Sequence, residues 1–409
     1  MTALLDSNLR RAYDDLADVR RALAFLHIAD SGRGDPIGTI LAWIDWDESK
    51  PWDSANHVGR GPSSGTGEMQ TAIDELTKQR NALAAAWKGA AAEVFLDYSA
   101  SVLENCRRVL DELQAMVKVM ASGEGTTHQA MKDLTRNAWK AAGDIADDPK
   151  VKRSVERIFD SNDQQERSDA RLELLGVIER LKRGVTAEVD RIDENVLVLV
   201  KPFAYELSLK NPLTGAGGPP SKTEIDLNIA RPAGQAMLPA IAGIKRAARC
   251  MEEAWHAVDQ YSFGTSANAQ QVLHTWRQAL AHRRTDIANC YGQAKGMYGG
   301  MSAVMHRYAY IENNNQERID NILTGDMQRQ RLDDYWHKNA SGKGPDGTGP
   351  IYDEVAGTEA ELDALDEGWN GKGDVPSDSG PGEIKNPEPP TPAEIADEIG
   401  QRGVRGGLR

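Results

Sequence analysis

The chain is expected to be all-α: an elongated bundle built from two long helical hairpins plus additional helices, with a disordered acidic C-terminal tail. Three observations carry that expectation. Ala, Leu, Glu, Arg and Gln dominate the long segments, and these residues lose little conformational freedom in a helix. Apolar residues recur at spacings of three and four rather than two, the period of a helix with one buried face. Candidate strands are scarce, since Val and Ile are scattered and the 409 residues contain only 5 Phe. A chain of this length can bury a substantial core.

Residues 1–67 are read as an N-terminal helix followed by a polar loop. The segment "LDSNLRRAYDDLADVRRALAFL" sets Leu9, Leu16, Val19, Leu23 and Leu26 on one side of a helix. Its interspersed charges exclude a signal-peptide core. From Asp30 to Gly67 the composition turns to Gly, Pro, Trp and polar residues, which suggests a loop. Residues 68–122 read as a hairpin, two helical patterns meeting at Trp87 and Gly89. The second carries Phe95, Ser99, Val102, Cys106, Val109, Leu113, Met116 and Met120 in a continuous stripe, and "ASGEGTT" ends it.

Residues 126–210 hold middle helices, at about Met131–Ala146 and Val151–Phe159, then a longer one from Glu166 that Pro202 stops. Residues 211–235, which include "NPLTGAGGPPSK", are expected to be a linker or long loop. Residues 236–323 form a second hairpin. Its first helix covers Pro239–Tyr261 and "SFGTSAN" is the turn. Its long partner carries Leu273, Trp276, Leu280, Arg283, Ile287, Cys290, Ala294, Met297, Met301, Val304, Tyr308 and Ile311 on one seam, with Arg283 the single position at odds with burial. A helix from Ala269 to Glu312 would be roughly 65 Å long. Gly292, Gly296 and Gly300 suggest close backbone approach at that seam. In residues 341–409, 15 acidic residues face 6 basic ones and Gly and Pro are abundant, the composition of a disordered tail.

Several function classes are unsupported. The net charge of −14 disfavours nucleic-acid phosphates as partners. No apolar run of about 18 residues exists, so no integral membrane segment is expected. The 3 Cys, Cys106, Cys250 and Cys290, lie far apart in apolar helical contexts and read as buried thiols rather than a disulfide frame. Histidines at metal-ligand spacing, Cys-x-x-Cys pairs, a Gly-x-Ser-x-Gly elbow and a phosphate loop are all missing, so no catalytic residue, cofactor or metal site is assigned and the chain is not read as an enzyme.

Trp87 and Gly89 are the most specific feature. A residue without a Cβ suits a sharp helix-to-helix corner, and an adjacent indole supplies a broad apolar face with one N–H donor. The stretch "AWKGAAAEVF" resembles the Trp-x-Gly corner of the helical hairpins exported by type VII (ESX) secretion systems, over about Thr66–Met120. "WNG" at Trp369–Gly371 lacks flanking helices, and "AWKAAGD" at Trp139 has Ala141 in place of the glycine. The resemblance implies a second element, a Tyr-x-x-x-Asp/Glu signal at the end of a partner helix, which Tyr308 and Glu312 match. It further implies a pairing of the two hairpins within one chain, as in the larger single-chain substrates of PE/PPE-like halves, although the two signals occur here in reversed order. Export without a cleaved signal peptide to the cell surface or medium would follow, with a type VII secretion ATPase or chaperone as partner and a homo-oligomer outside the cell. A cytoplasmic helical scaffold, or the delivery half of a toxin whose effector is another chain, is the alternative.

Overall fold

The computed structural model describes residues 4–28, 34–120, 125–212 and 224–324, with side chains omitted at 193–194, 303 and 306–324. Among the described residues there are eleven α-helices and one two-residue strand pair, so the chain is all-α. The expected tail at 341–409, with Trp369 and Gly371, lies outside the described residues, as does most of the Gly/Pro-rich stretch after Asn211.

Helix starts follow side-chain chemistry. The first helix is split at Leu16 into α1 (Ser7–Asp15) and α2 (Ala17–Phe25), and Asp6 caps α1 by accepting from the amides of Asn8 and Leu9. The expected polar loop from Asp30 to Gly67 instead contains α3 (Pro36–Trp43) and α4 (Ser49–Gly59). Each is too short for its periodicity to stand out, but Asp35 followed by Pro36 is a helix-start signature, and the Asp35 carboxylate accepts from the Ile37 amide. Ser64 caps α5 (Gly65–Ala86), Thr126 caps α7 (Thr127–Asp147), Asp148 caps α8 (Pro149–Asp160) and Asp163 caps α9 (Gln164–Val200). Such a side-chain acceptor contributes about 1 kcal/mol by satisfying amides that the helix leaves unpaired. α6 spans Ala90–Met120.

The linker reading of 211–235 needs correction at its end. Asp226 caps α10 (Leu227–Ala257), which begins well before Pro239 and runs through both Pro232 and Pro239. Each proline removes one i→i−4 amide donor from the helix, a loss that the packing of α10 against α5 and α11 offsets. α11 runs from Ala267 to Thr324, beyond both expected ends.

Four of these helices form a closed antiparallel ring, α5–α6–α11–α10. α5 packs along α10, with Gly65 beside Met251 and Ala247, and Gly243 beside Ala72. α6 packs on α11, where the Tyr98 hydroxyl donates to the Gln293 carbonyl at 3.2 Å. Within the first hairpin, Arg80 of α5 donates through Nε to Ser99 Oγ of α6 at 3.1 Å. The seam read for α11 is buried from Leu273 through Met301, Arg283 included. The glycines behave otherwise: a Cβ at Gly292 or Gly300 would meet open space, and one at Gly296 would meet only the Tyr98 hydroxyl, at 3.0 Å. They lie off the seam because their register puts them on the opposite face from Cys290, Ala294 and Met297. Close approach occurs instead at Gly234 of α10, where a Cβ would stand 2.6 Å from the Met301 methyl.

α1, α7, α8 and α9 make a second layer, with α2 on α8 and α3 on α9, and α9 also packs against α11. α4 fills the end of the ring between α6 and α10. A buried relay fastens it: Trp276 of α11 donates from Nε1 to Ser54 Oγ of α4 at 2.9 Å, and that hydroxyl donates to the Ala254 carbonyl of α10 at 2.7 Å. Ser54→Ala would strand an indole N–H and remove a donor from a carbonyl in one step. We expect a loss of about 1–3 kcal/mol per stranded group, measurable as a lowered urea midpoint with an unchanged slope.

Candidate interaction site at the helical corner

Trp87 and Gly89 break the first hairpin as their chemistry requires. α5 ends at Ala86, Trp87 is extended at φ −128° and ψ 128°, and Gly89 takes φ +106° before α6 starts. That φ is open to glycine and strained for any residue with a Cβ. Trp87 and Lys88 form strand β1, which pairs antiparallel with β2 (Glu224–Ile225) in the register Trp87 to Ile225. The Asp226 amide then donates to the Ala86 carbonyl at 2.8 Å. One residue therefore serves two helices, since Asp226 caps α10 with its carboxylate and closes α5 with its backbone.

The indole is only 3% exposed and lies with its ring centroid 5.4 Å from that of Phe95. Its Nε1 is buried with no hydrogen-bond acceptor among the described residues. The indole is enclosed rather than presented at the surface, with Phe95 of α6 packed against it. Trp139, by contrast, sits inside unbroken α7 and donates from its indole to Asp15 at 2.8 Å, so that stretch makes no corner.

Tyr308 and Glu312 lie on α11, and their side chains are outside the described residues. Their level along the bundle follows from neighbours. Met301 and Met305 meet α10 at Gly234, near its start. Glu312 stands seven residues past Met305, and Leu227 seven residues before Gly234, each a rise of roughly 10 Å toward the same end. The α11 backbone at Tyr308 and Glu312 thus runs toward the end of the ring where Trp87 pairs with Ile225.

A second cluster lies part-way along the ring. Arg283 and Asp286 of α11 are each 1% exposed, and Arg283 Nη2 lies 3.0 Å from Asp286 Oδ2. Arg283 also donates to the Tyr205 carbonyl. The extended segment after α9 is held at this point. Asn105 of α6 donates to the Lys210 carbonyl at 2.7 Å and accepts from the Lys210 amide at 2.9 Å, and Arg108 donates to the Ser208 carbonyl at 2.7 Å. Asn105 imitates a neighbouring strand, giving the segment a partner that its own sequence lacks. Burial pushes the Asp286 carboxyl up to about 6, with Arg283 and the Leu207 amide opposing the rise and Glu206 and Glu112 adding to it. Burial likewise lowers Arg283. The signal in the sequence is Arg283 itself, a charge on an otherwise apolar seam; Asp286, three residues on, carries no such signal.

No group of three or more His, Cys, Asp or Glu side chains that could hold a metal ion occurs among the described residues, and none of their helices is long and apolar enough to cross a membrane. No protein-family model, no curated protein and no solved structure matches this chain.

Two outcomes are expected. Gly89→Ala forces a side chain into the left-handed region and lowers stability by about 1–3 kcal/mol, read by urea denaturation. For Asp286 the folded value near 6 exceeds the unfolded value of 3.8. Its contribution to stability is therefore fully present below about pH 4 and is lost as pH rises through 6. Comparing urea midpoints of wild type and Asp286→Asn from pH 4 to 7 should show a decline in this window that the variant lacks.

Proposed function

We propose that this chain is a non-enzymatic substrate of a type VII (ESX-like) secretion system, exported folded, and that it acts outside the cell by binding other proteins or by self-assembly. The observation that carries the reading is the Trp-x-Gly sequence at the bend of a helical hairpin, where Gly89 has the positive φ of a true corner. Support also comes from the ring itself. The second hairpin packs against the first within one chain, the arrangement that a fused pair of PE- and PPE-like halves would adopt. In this reading the α11 segment with Tyr308 and Glu312 is the export signal, read together with the Trp87–Gly89 corner at the same end of the bundle. The partner would be a membrane-bound ATPase of the secretion system, or a chaperone that delivers the chain to it.

One observation favours a second reading, a helical scaffold retained in the cytoplasm. Trp87 is buried against Phe95, which is what a packing residue does. The readings part on export. In a host with the secretion system, Tyr308→Ala and Glu312→Gln are expected to leave the protein folded in the cell but reduce it in the culture supernatant by about tenfold or more, a 1.4 kcal/mol loss of recognition. Trp87→Phe, which keeps the packing, is expected to reduce export less than Trp87→Ala. Undiminished export of the Tyr308 and Glu312 variants would remove the proposed signal, and absence of the wild-type chain from the supernatant would favour the scaffold.

A further inference from the structure

Two of the three thiols face each other across the joint between the hairpins. Cys106 of α6 and Cys290 of α11 are both fully buried where these two helices pack together, and the Cys106 thiol is the main influence on the Cys290 thiol. Polar contacts to one residue beside the pair, Gln293 of α11, hold the two helices in this register. Asn105, next to Cys106, donates to Gln293 Oε1 at 2.9 Å, and Tyr98, two turns earlier on α6, donates to the Gln293 carbonyl at 3.2 Å. The third thiol has no such neighbour: Cys250 of α10 donates to the Ser63 carbonyl at 3.4 Å. All three are free in the structure.

We propose that Cys106 and Cys290 are a latent disulfide site that staples the first hairpin to the second when the chain meets an oxidising thiol–disulfide couple. The chemistry is ordinary exchange. With oxidised glutathione as oxidant, one cysteine thiolate attacks a glutathione sulfur and expels a glutathione thiolate. The other cysteine thiolate then attacks the protein sulfur of the mixed disulfide, forms the Cys106–Cys290 bond and releases the second glutathione thiolate. The two protons lost by the cysteines end on the released glutathione, so two protein thiols are oxidised and one glutathione disulfide is reduced.

Burial makes the pair slow to react in the closed ring. Neither sulfur is reachable by glutathione, and the neighbouring Cys106 thiol together with burial pushes Cys290 far up, which suppresses its thiolate. Exchange must wait for α6 and α11 to part, or take place while the ring assembles. Once formed, the bond would close a loop of 184 residues between the two hairpins. A link across so long a stretch of chain restricts the unfolded ensemble strongly. This inference concerns the ring alone and stands whether or not the chain is exported.

The full-length protein, both folded and refolding from urea, is incubated in a buffer rich in oxidised glutathione, alkylated with N-ethylmaleimide and digested with trypsin. The expected result is a peptide ending at Arg107 joined to the peptide Thr285–Lys295, with the loss of two hydrogens, in at least one of the two samples. Cys250→Ser should retain the link, and Cys106→Ser or Cys290→Ser should abolish it. The linked protein should unfold at a higher urea concentration than the reduced protein. Complete alkylation of both cysteines in both samples, a link through Cys250, or a urea midpoint that does not rise would each overturn the proposal.

Discussion

The pairing of Trp87 with Ile225, and the Asp226 amide that follows it, ties together three helix ends that would otherwise be free. A helix ends with unpaired carbonyls and begins with unpaired amides, which need partners. Asp226 meets both needs, giving its backbone N–H to the end of α5 and its carboxylate to the start of α10. Because α6 begins directly after Gly89, the position of α6 is set by the same two strands. With the corner fixed, the antiparallel ring has one way to close, and the apolar stripes of four helices meet inside it.

The core of the ring is mostly apolar, and the buried ion pair Arg283–Asp286 is its main charged exception. Arg283 and Asp286 of α11 and Asn105 of α6 each hold a different part of the segment after α9. Burying charges is costly unless they are paired and hydrogen-bonded. Here the cost is offset by the backbone groups of Tyr205, Leu207 and Lys210, an extended stretch with no strand beside it. Polar side chains inside the bundle thus fasten the chain where it passes from the second layer back toward the corner.

Much of this was legible in the amino-acid pattern. The stripe on α6 and the seam on α11 followed from spacing, because a long helix repeats its signal many times. Gly89 marked a bend because no other residue adopts its φ at little cost. The short helices α3 and α4 lie where the composition suggests a loop, since two or three turns give periodicity too little length to appear. The start of α10 was placed late because Pro232 and Pro239 argue against helix in isolation, whereas the packed ring outweighs what the helix loses at them.

For this protein the sequence alone determined that the chain is helical, that it bends at Trp87–Gly89, and that two long hairpins carry apolar faces in need of cover. Those properties are local, set by side-chain chemistry within a few turns. Only the tertiary structure decided that the backbone of Trp87 pairs with that of Ile225, that Arg283 finds Asp286 and Tyr205, and that Cys106 lies beside Cys290. Each of these depends on which helix lies beside which and in what register, a choice made by the closing of the ring as a whole.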